Sequence, residues 1–204
     1  MSEPKADCYS NHERDAMVWS QQLRAQWCGP LLDLLVRFHV RADHLTLLSL
    51  AMGLSFSGLF FWSKAWAFAA LILHVVLDGL DGPLARRYGT DSRAGSFTDS
   101  TADQIIVAST TITLMLTQPA LISPLPGCIY IFVYTMVVAY AMVRNAMEVP
   151  YSWLVRPRFV VYAWMVVEVY WWPHSIDGVL WLFNVLLAWK MATGFYRIRA
   201  TLSR

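Results

Sequence analysis

Long apolar stretches with few charged side chains constrain this chain more than any other feature. Residues 44–62 read HLTLLSLAMGLSFSGLFFW, and a second stretch opens AWAFAALILHVVL at Ala65. Further stretches cover roughly 96–117, 126–147, 158–172 and 176–196, which makes six. A helix needs about 20 residues to cross the hydrocarbon of a bilayer, and most of these stretches are near that length. The expected fold is therefore all-α: a polytopic membrane protein with six transmembrane helices. Composition agrees. Charged residues make up 15% and apolar residues 57%, against roughly 25% and 45–50% in a soluble domain. A disordered chain and an ordinary soluble core are both excluded on that ground. The formal net charge of +2 is too small for a nucleic-acid binder. Cys8, Cys28 and Cys128 are odd in number and far apart, so they suggest neither a metal spacing nor a disulfide framework.

Three segments are expected. Residues 1–17 are polar, carry no apolar stretch of the secretory type, and read as a mobile N-terminus. Residues 18–40 interleave Trp19, Leu23, Trp27, Leu31, Leu35 and Phe38 with Arg24, Asp33 and Arg37. That pattern predicts an amphipathic helix in the membrane interface, broken near Gly29-Pro30. Residues 41–204 form the six-helix catalytic domain. Positive charges orient it. Arg86, Arg87, Arg93, Arg144, Arg156, Arg158, Arg197, Arg199 and Arg204 all fall on one side, and Lys64 on the other. The positive-inside rule puts both termini, and any site beside those arginines, in the cytoplasm.

Carboxylates are rare inside membranes and are functional when present. Asp78 and Asp81 end the second stretch, and Asp99 and Asp103 begin the third. Spacings of three and four place each pair on one helix face. The short connection between them brings all four toward one crevice. Four negative charges there repel, and a divalent cation relieves the repulsion. Oxygen-only ligands favour Mg²⁺ or Mn²⁺. Gly82 and Ala85 are small enough for a ligand to approach the helix, Gly95 relieves crowding before the next one, and Arg86 suits a phosphate. Together these residues suggest metal-dependent chemistry on a phosphate ester.

The same residues resemble a known signature. Asp78-x-x-Asp81-Gly82-x-x-Ala85-Arg86, then Gly95-x-x-x-Asp99-x-x-x-Asp103, is similar to the motif of the CDP-alcohol phosphotransferases at all eight positions. The resemblance implies transfer of a substituted phosphate from a CDP-alcohol to a second alcohol, with release of CMP. It implies that Asp78, Asp81, Asp99 and Asp103 hold metal, and that Asp103 also takes the proton of the attacking hydroxyl. Gly82 and Ala85 would line the nucleotide, and Arg86 would hold a phosphate. A homodimer and a juxtamembrane helix are implied in the same way. Members commonly carry Pro-Asn before a Thr at the start of the first span. Here Ala42-Asp43-His44-Leu45-Thr46 keeps only Thr46, at the nucleotide end.

For the second substrate, many bacterial members carry Gly-Lys-x-Lys-Thr after the fourth span. Val155-Arg156-Pro157-Arg158-Phe159 keeps the two basic positions in kind. With Arg144, these residues are candidates for an acceptor phosphate, and headgroup anchoring is the competing reading of Arg156 and Arg158. The expected reaction moves a phosphatidyl group from CDP-diacylglycerol to a small polar alcohol, first glycerol 3-phosphate and then inositol phosphate, at the inner membrane of a bacterium. Transfer from a soluble CDP-alcohol to diacylglycerol is the alternative. A divalent-cation transporter is the alternative of another class, against which stands Arg86 beside the acids. His74 reads as a packing histidine, Glu168 as the partner of Lys190, and Trp62, Trp171 and Trp172 as an aromatic belt. Gly53, Ser55, Ser57 and Gly58 read as close helix packing.

Overall fold

A computed structural model describes residues 28–90, 92–118, 122–147 and 157–203 of the chain. They are mostly helical, with no strand among the described residues. Helix α1 covers 28–37, with Gly29 and Pro30 in its first described turn. It is followed by α2 (Ala42–Trp62), α3 (Lys64–Tyr88), α4 (Arg93–Thr117), α5 (Pro124–Ala146), α6 (Pro157–Tyr170) and α7 (Ile176–Leu202). The N-terminal segment 1–17 and the expected amphipathic stretch before residue 28 lie outside the described residues.

Each expected span coincides with a helix, but the helices are not equally suited to cross a membrane. Four of them, α2, α3, α5 and α7, are long and apolar enough. α4 has 25 residues, about 37 Å at 1.5 Å per residue, yet it is rich in hydroxyls and bears two acids. α6 has 14 residues, about 21 Å, which is short of the ~30 Å hydrocarbon. A six-span count is therefore not established by length and apolarity.

The helices form two compact units, one within Met17–Thr117 and one within Gln118–Arg204. In the first, Ser63 alone joins α2 to α3, and the two helices pack along their length. Phe56, Phe60 and Phe68 interlock near that turn, with ring centroids 5.3–6.0 Å apart. At the other end Leu32 of α1, Leu45 of α2, and Leu80 and Leu84 of α3 form a buried cluster. Asp33 pairs with Arg87, and the Tyr88 hydroxyl donates to the Val36 carbonyl at 3.3 Å. These contacts seat α1 against the last turns of α3. Gly89, at φ 64°, ends α3 in the left-handed conformation that glycine adopts without strain.

α4 buries Thr110, Thr111 and Thr113 at little cost because its hydroxyls are satisfied internally. Thr110, Thr111, Thr113 and Thr117 each donate to the carbonyl four residues back. Thr113 and Ser109 also bond Ser57 of α2, both at 2.7 Å.

In the second unit α5 packs along α7, and α6 packs against α7. Asn184 donates to the Pro126 carbonyl at 3.0 Å, and Asp177 accepts from the Ser123 backbone at 3.0 Å. Glu168 departs from expectation. Its fully buried carboxylate does not pair with Lys190. It accepts the backbone N–H groups of His174, Ser175 and Ile176 at 2.5, 2.9 and 2.8 Å. A helix start leaves several N–H groups without partners, and Glu168 satisfies those that open α7. Trp62, Trp171 and Trp172 are strongly exposed at helix ends, as an aromatic belt requires.

Candidate metal centre

α3 carries Asp78, Asp81, Gly82, Ala85 and Arg86 on its last turns, and α4 carries Gly95, Asp99 and Asp103 on its first three turns. One carboxylate oxygen from each of Asp78, Asp99 and Asp103 lies within 4.8 Å of the others, and all three side chains are partly buried. Two oxygens bound to one Mg²⁺ at ~2.1 Å are at most ~4.2 Å apart. At least two of the three pairs must be cis, ~3.0 Å apart, so side-chain rotations on the order of 1 Å would close the set around a single ion. The donors are all hard oxygens, which fits Mg²⁺ or Mn²⁺. Three like charges this close would otherwise repel.

Asp81 stands outside this set of three. It is buried, and its two oxygens accept from the Thr46 hydroxyl at 2.8 Å and the Gly82 amide at 2.6 Å. Thr46 thus orients an acid of the signature from the neighbouring helix. Of the four carboxylates expected in one crevice, Asp78, Asp99 and Asp103 come together, and Asp81 lies one turn along α3 on its own partners.

Small residues sit where the chain approaches itself. A Cβ on Gly82 would stand 3.6 Å from an Arg86 guanidinium nitrogen, so the exposed arginine folds back over that glycine. Ser92 caps α4 by accepting the Gly95 amide at 3.0 Å. A Cβ on Gly95 would lie 3.3 Å from the same hydroxyl. Ala85 is half-buried between these positions and the end of α3.

His74, one turn before Asp78, is a buried packing residue. The Ser49 hydroxyl lies 2.7 Å from its Nδ1 and 3.2 Å from its carbonyl. Sequence reasoning missed the part played by α2. Gly53 and Ser57 do make close packing contacts, but Gly58 meets nothing within 4 Å and Ser55 bonds within its own helix.

In the second unit Arg144 and Arg158 are buried, with exposures of 4% and 2%. The Arg158 guanidinium lies 4.7 Å from the Phe159 ring centre. An arginine anchoring a helix to headgroups keeps its charge in water, and these two do not. Arg197 and Arg199 are exposed, as anchors should be. Arg156 lies outside the described residues.

Comparison with known proteins agrees with this geometry. The profile of a family described as CDP-alcohol phosphatidyltransferase matches residues 39–196. The chain is also 33% identical over 90 residues to a phosphatidylinositol phosphate synthase of Cutibacterium acnes (strain DSM 16379 / KPA171202). That similarity covers 41% of this chain and 43% of the relative's length, so it spans less than half of either protein.

Proposed function

Because the chain belongs to the CDP-alcohol phosphatidyltransferase family, we propose that it transfers a phosphatidyl group from CDP-diacylglycerol to a phosphorylated small alcohol and releases CMP. The observation that carries this is the meeting of Asp78, Asp99 and Asp103 within 4.8 Å, on two helices that bear the whole signature. Asp78, Asp99 and Asp103 would hold the metal, and Asp81 would join them by turning one oxygen away from its Thr46 and Gly82 bonds. A bound Mg²⁺ or Mn²⁺ supplies neutralisation of the pyrophosphate and of the leaving CMP. Arg86 binds a donor phosphate, and Gly82, Ala85, Gly95 and Thr46 shape the nucleotide end. Asp103 takes the proton from the acceptor hydroxyl as its oxygen bonds to the phosphatidyl phosphorus. The phosphorus–oxygen bond of the pyrophosphate breaks, and CMP leaves with the bridging oxygen.

Arg144, Arg156 and Arg158 bind the acceptor's phosphate. Burial of Arg144 and Arg158 supports this role, because it sets them apart from the exposed arginines that anchor helices to headgroups. Glycerol 3-phosphate and inositol phosphate both offer one. The name of the Cutibacterium relative favours the second. The protein is an integral membrane protein of a bacterial inner membrane, with its termini and active site in the cytoplasm, and it works as a homodimer. The test is to incubate purified protein with CDP-diacylglycerol and a panel of alcohols and to follow CMP. Release with a phosphorylated alcohol and not with its unphosphorylated form is expected. Turnover only with a soluble CDP-alcohol and diacylglycerol would overturn the assignment of donor and acceptor.

A further inference from the structure

The two helices that carry the acids each pack on α2, and far less on one another. Their carboxylates therefore meet across a gap whose width depends on how closely each helix approaches α2. On the α3 side, the Thr46–Asp81 and Ser49–His74 contacts fix the register. On the α4 side the approach is closest at Gly53. A Cβ there would lie 2.5, 2.7 and 2.9 Å from Cδ1, Cγ1 and Cγ2 of Ile106. Ile106 is fully buried, and a β-branched side chain in a helix has essentially one allowed χ1. Cγ1 and Cγ2 are both bonded to its Cβ, so turning χ1 can put hydrogen in place of only one of them and leaves the other facing the glycine. An added methyl group must therefore move α4 itself, by about 1 Å to reach ordinary contact. Ile106 follows Asp103 by three residues, on the same helix face. The displacement reaches the carboxylates directly.

We infer that Gly53 is a positioning residue for the metal centre: its missing side chain lets α4 approach α2 closely enough for Asp99 and Asp103 to share a cation with Asp78. This rests on the metal-binding reading of those acids. Metal ligation tolerates about 0.2 Å in ligand distance, far less than the shift an alanine imposes. Residues that hold ligands from outside the coordination shell typically change metal affinity by about 10–100-fold.

The experiment is direct Mn²⁺ binding to purified protein, by calorimetry or electron paramagnetic resonance, with the metal-free melting temperature measured beside it. Four proteins are compared: wild type, Gly53→Ala, Ile106→Ala, and the double variant. Gly53→Ala should bind Mn²⁺ at least about tenfold more weakly than wild type. Ile106→Ala removes all three crowded atoms, so the double variant should return to within about threefold of wild type. A Gly53→Ala that fails to fold while the double variant folds and binds would support the same contact. Wild-type affinity in Gly53→Ala, or a double variant that stays weak or does not fold, would overturn the inference. A lowered melting temperature with unchanged Mn²⁺ affinity would reduce Gly53 to a packing role. Absence of Mn²⁺ binding by wild type would instead remove the metal-centre reading and this inference with it.

Discussion

Asp103 is the residue on which the chemistry turns. Its carboxylate is both a member of the acid set and the proposed base. Asp103→Asn keeps the shape and one oxygen but accepts no proton. Turnover should fall by about 10²–10⁴, while CDP-diacylglycerol binding, measured by equilibrium dialysis, stays nearly intact. Near-normal turnover would assign the base elsewhere. The buried arginines give a second test. A charge-assisted bond contributes about 1.5–3 kcal/mol, so Arg144→Ala or Arg158→Ala should raise the acceptor KM roughly ten- to a hundredfold. The donor KM should barely move, and equal losses for both substrates would contradict an acceptor role. Glu168 acts on stability alone. Glu168→Ala leaves three N–H groups at the start of α7 without their acceptor. Of these the Ile176 donor is buried, and an unsatisfied buried donor costs about 1–3 kcal/mol, so the melting temperature should drop by several degrees.

At the scale of elements, α1 is held to α3 chiefly by apolar burial. Leu32 is 2% exposed within its cluster, and truncating such a leucine costs about 2–5 kcal/mol. The Asp33–Arg87 pair is largely exposed, and pairs of that kind contribute about 0–1 kcal/mol. Leu32→Ala should therefore lower the melting temperature clearly, and Asp33→Asn hardly at all. The helices themselves were legible in the sequence, because long apolar stretches bounded by polar turns leave little choice of length: α2 begins two residues before its expected start and ends at Trp62 as expected. The acid signature was legible from spacing. What spacing could not show is that α3 and α4 meet through α2, because that depends on a missing side chain at Gly53 facing Ile106. The role of Glu168 was misread because charge pairing suggests lysine as the partner of a buried acid. Backbone N–H groups satisfy it equally well and leave no mark in the sequence.

For the whole molecule, the apolar surface shows where lipid belongs. Leu47, Phe61, Ile72, Leu116, Phe132 and Trp189 are all strongly exposed on their helices. Four helices are long and apolar enough to cross a membrane, and six crossings would require α4 and α6 to cross as well, despite the acids of one and the shortness of the other. Single cysteines at Ser63, Gln118 and His174 should then react with an impermeant maleimide from outside the cell, and one at Thr90 should not. Protection at Gln118 with reaction at Ser63 would show that α4 does not cross. The measurement that tests the account most directly is CMP release from CDP-diacylglycerol in the presence of a phosphorylated acceptor, with and without excess EDTA. The acids of α3 and α4 require a divalent cation, so release should stop on chelation and return on adding Mg²⁺ or Mn²⁺. Undiminished CMP release in excess EDTA would contradict the metal centre on which the proposed mechanism rests.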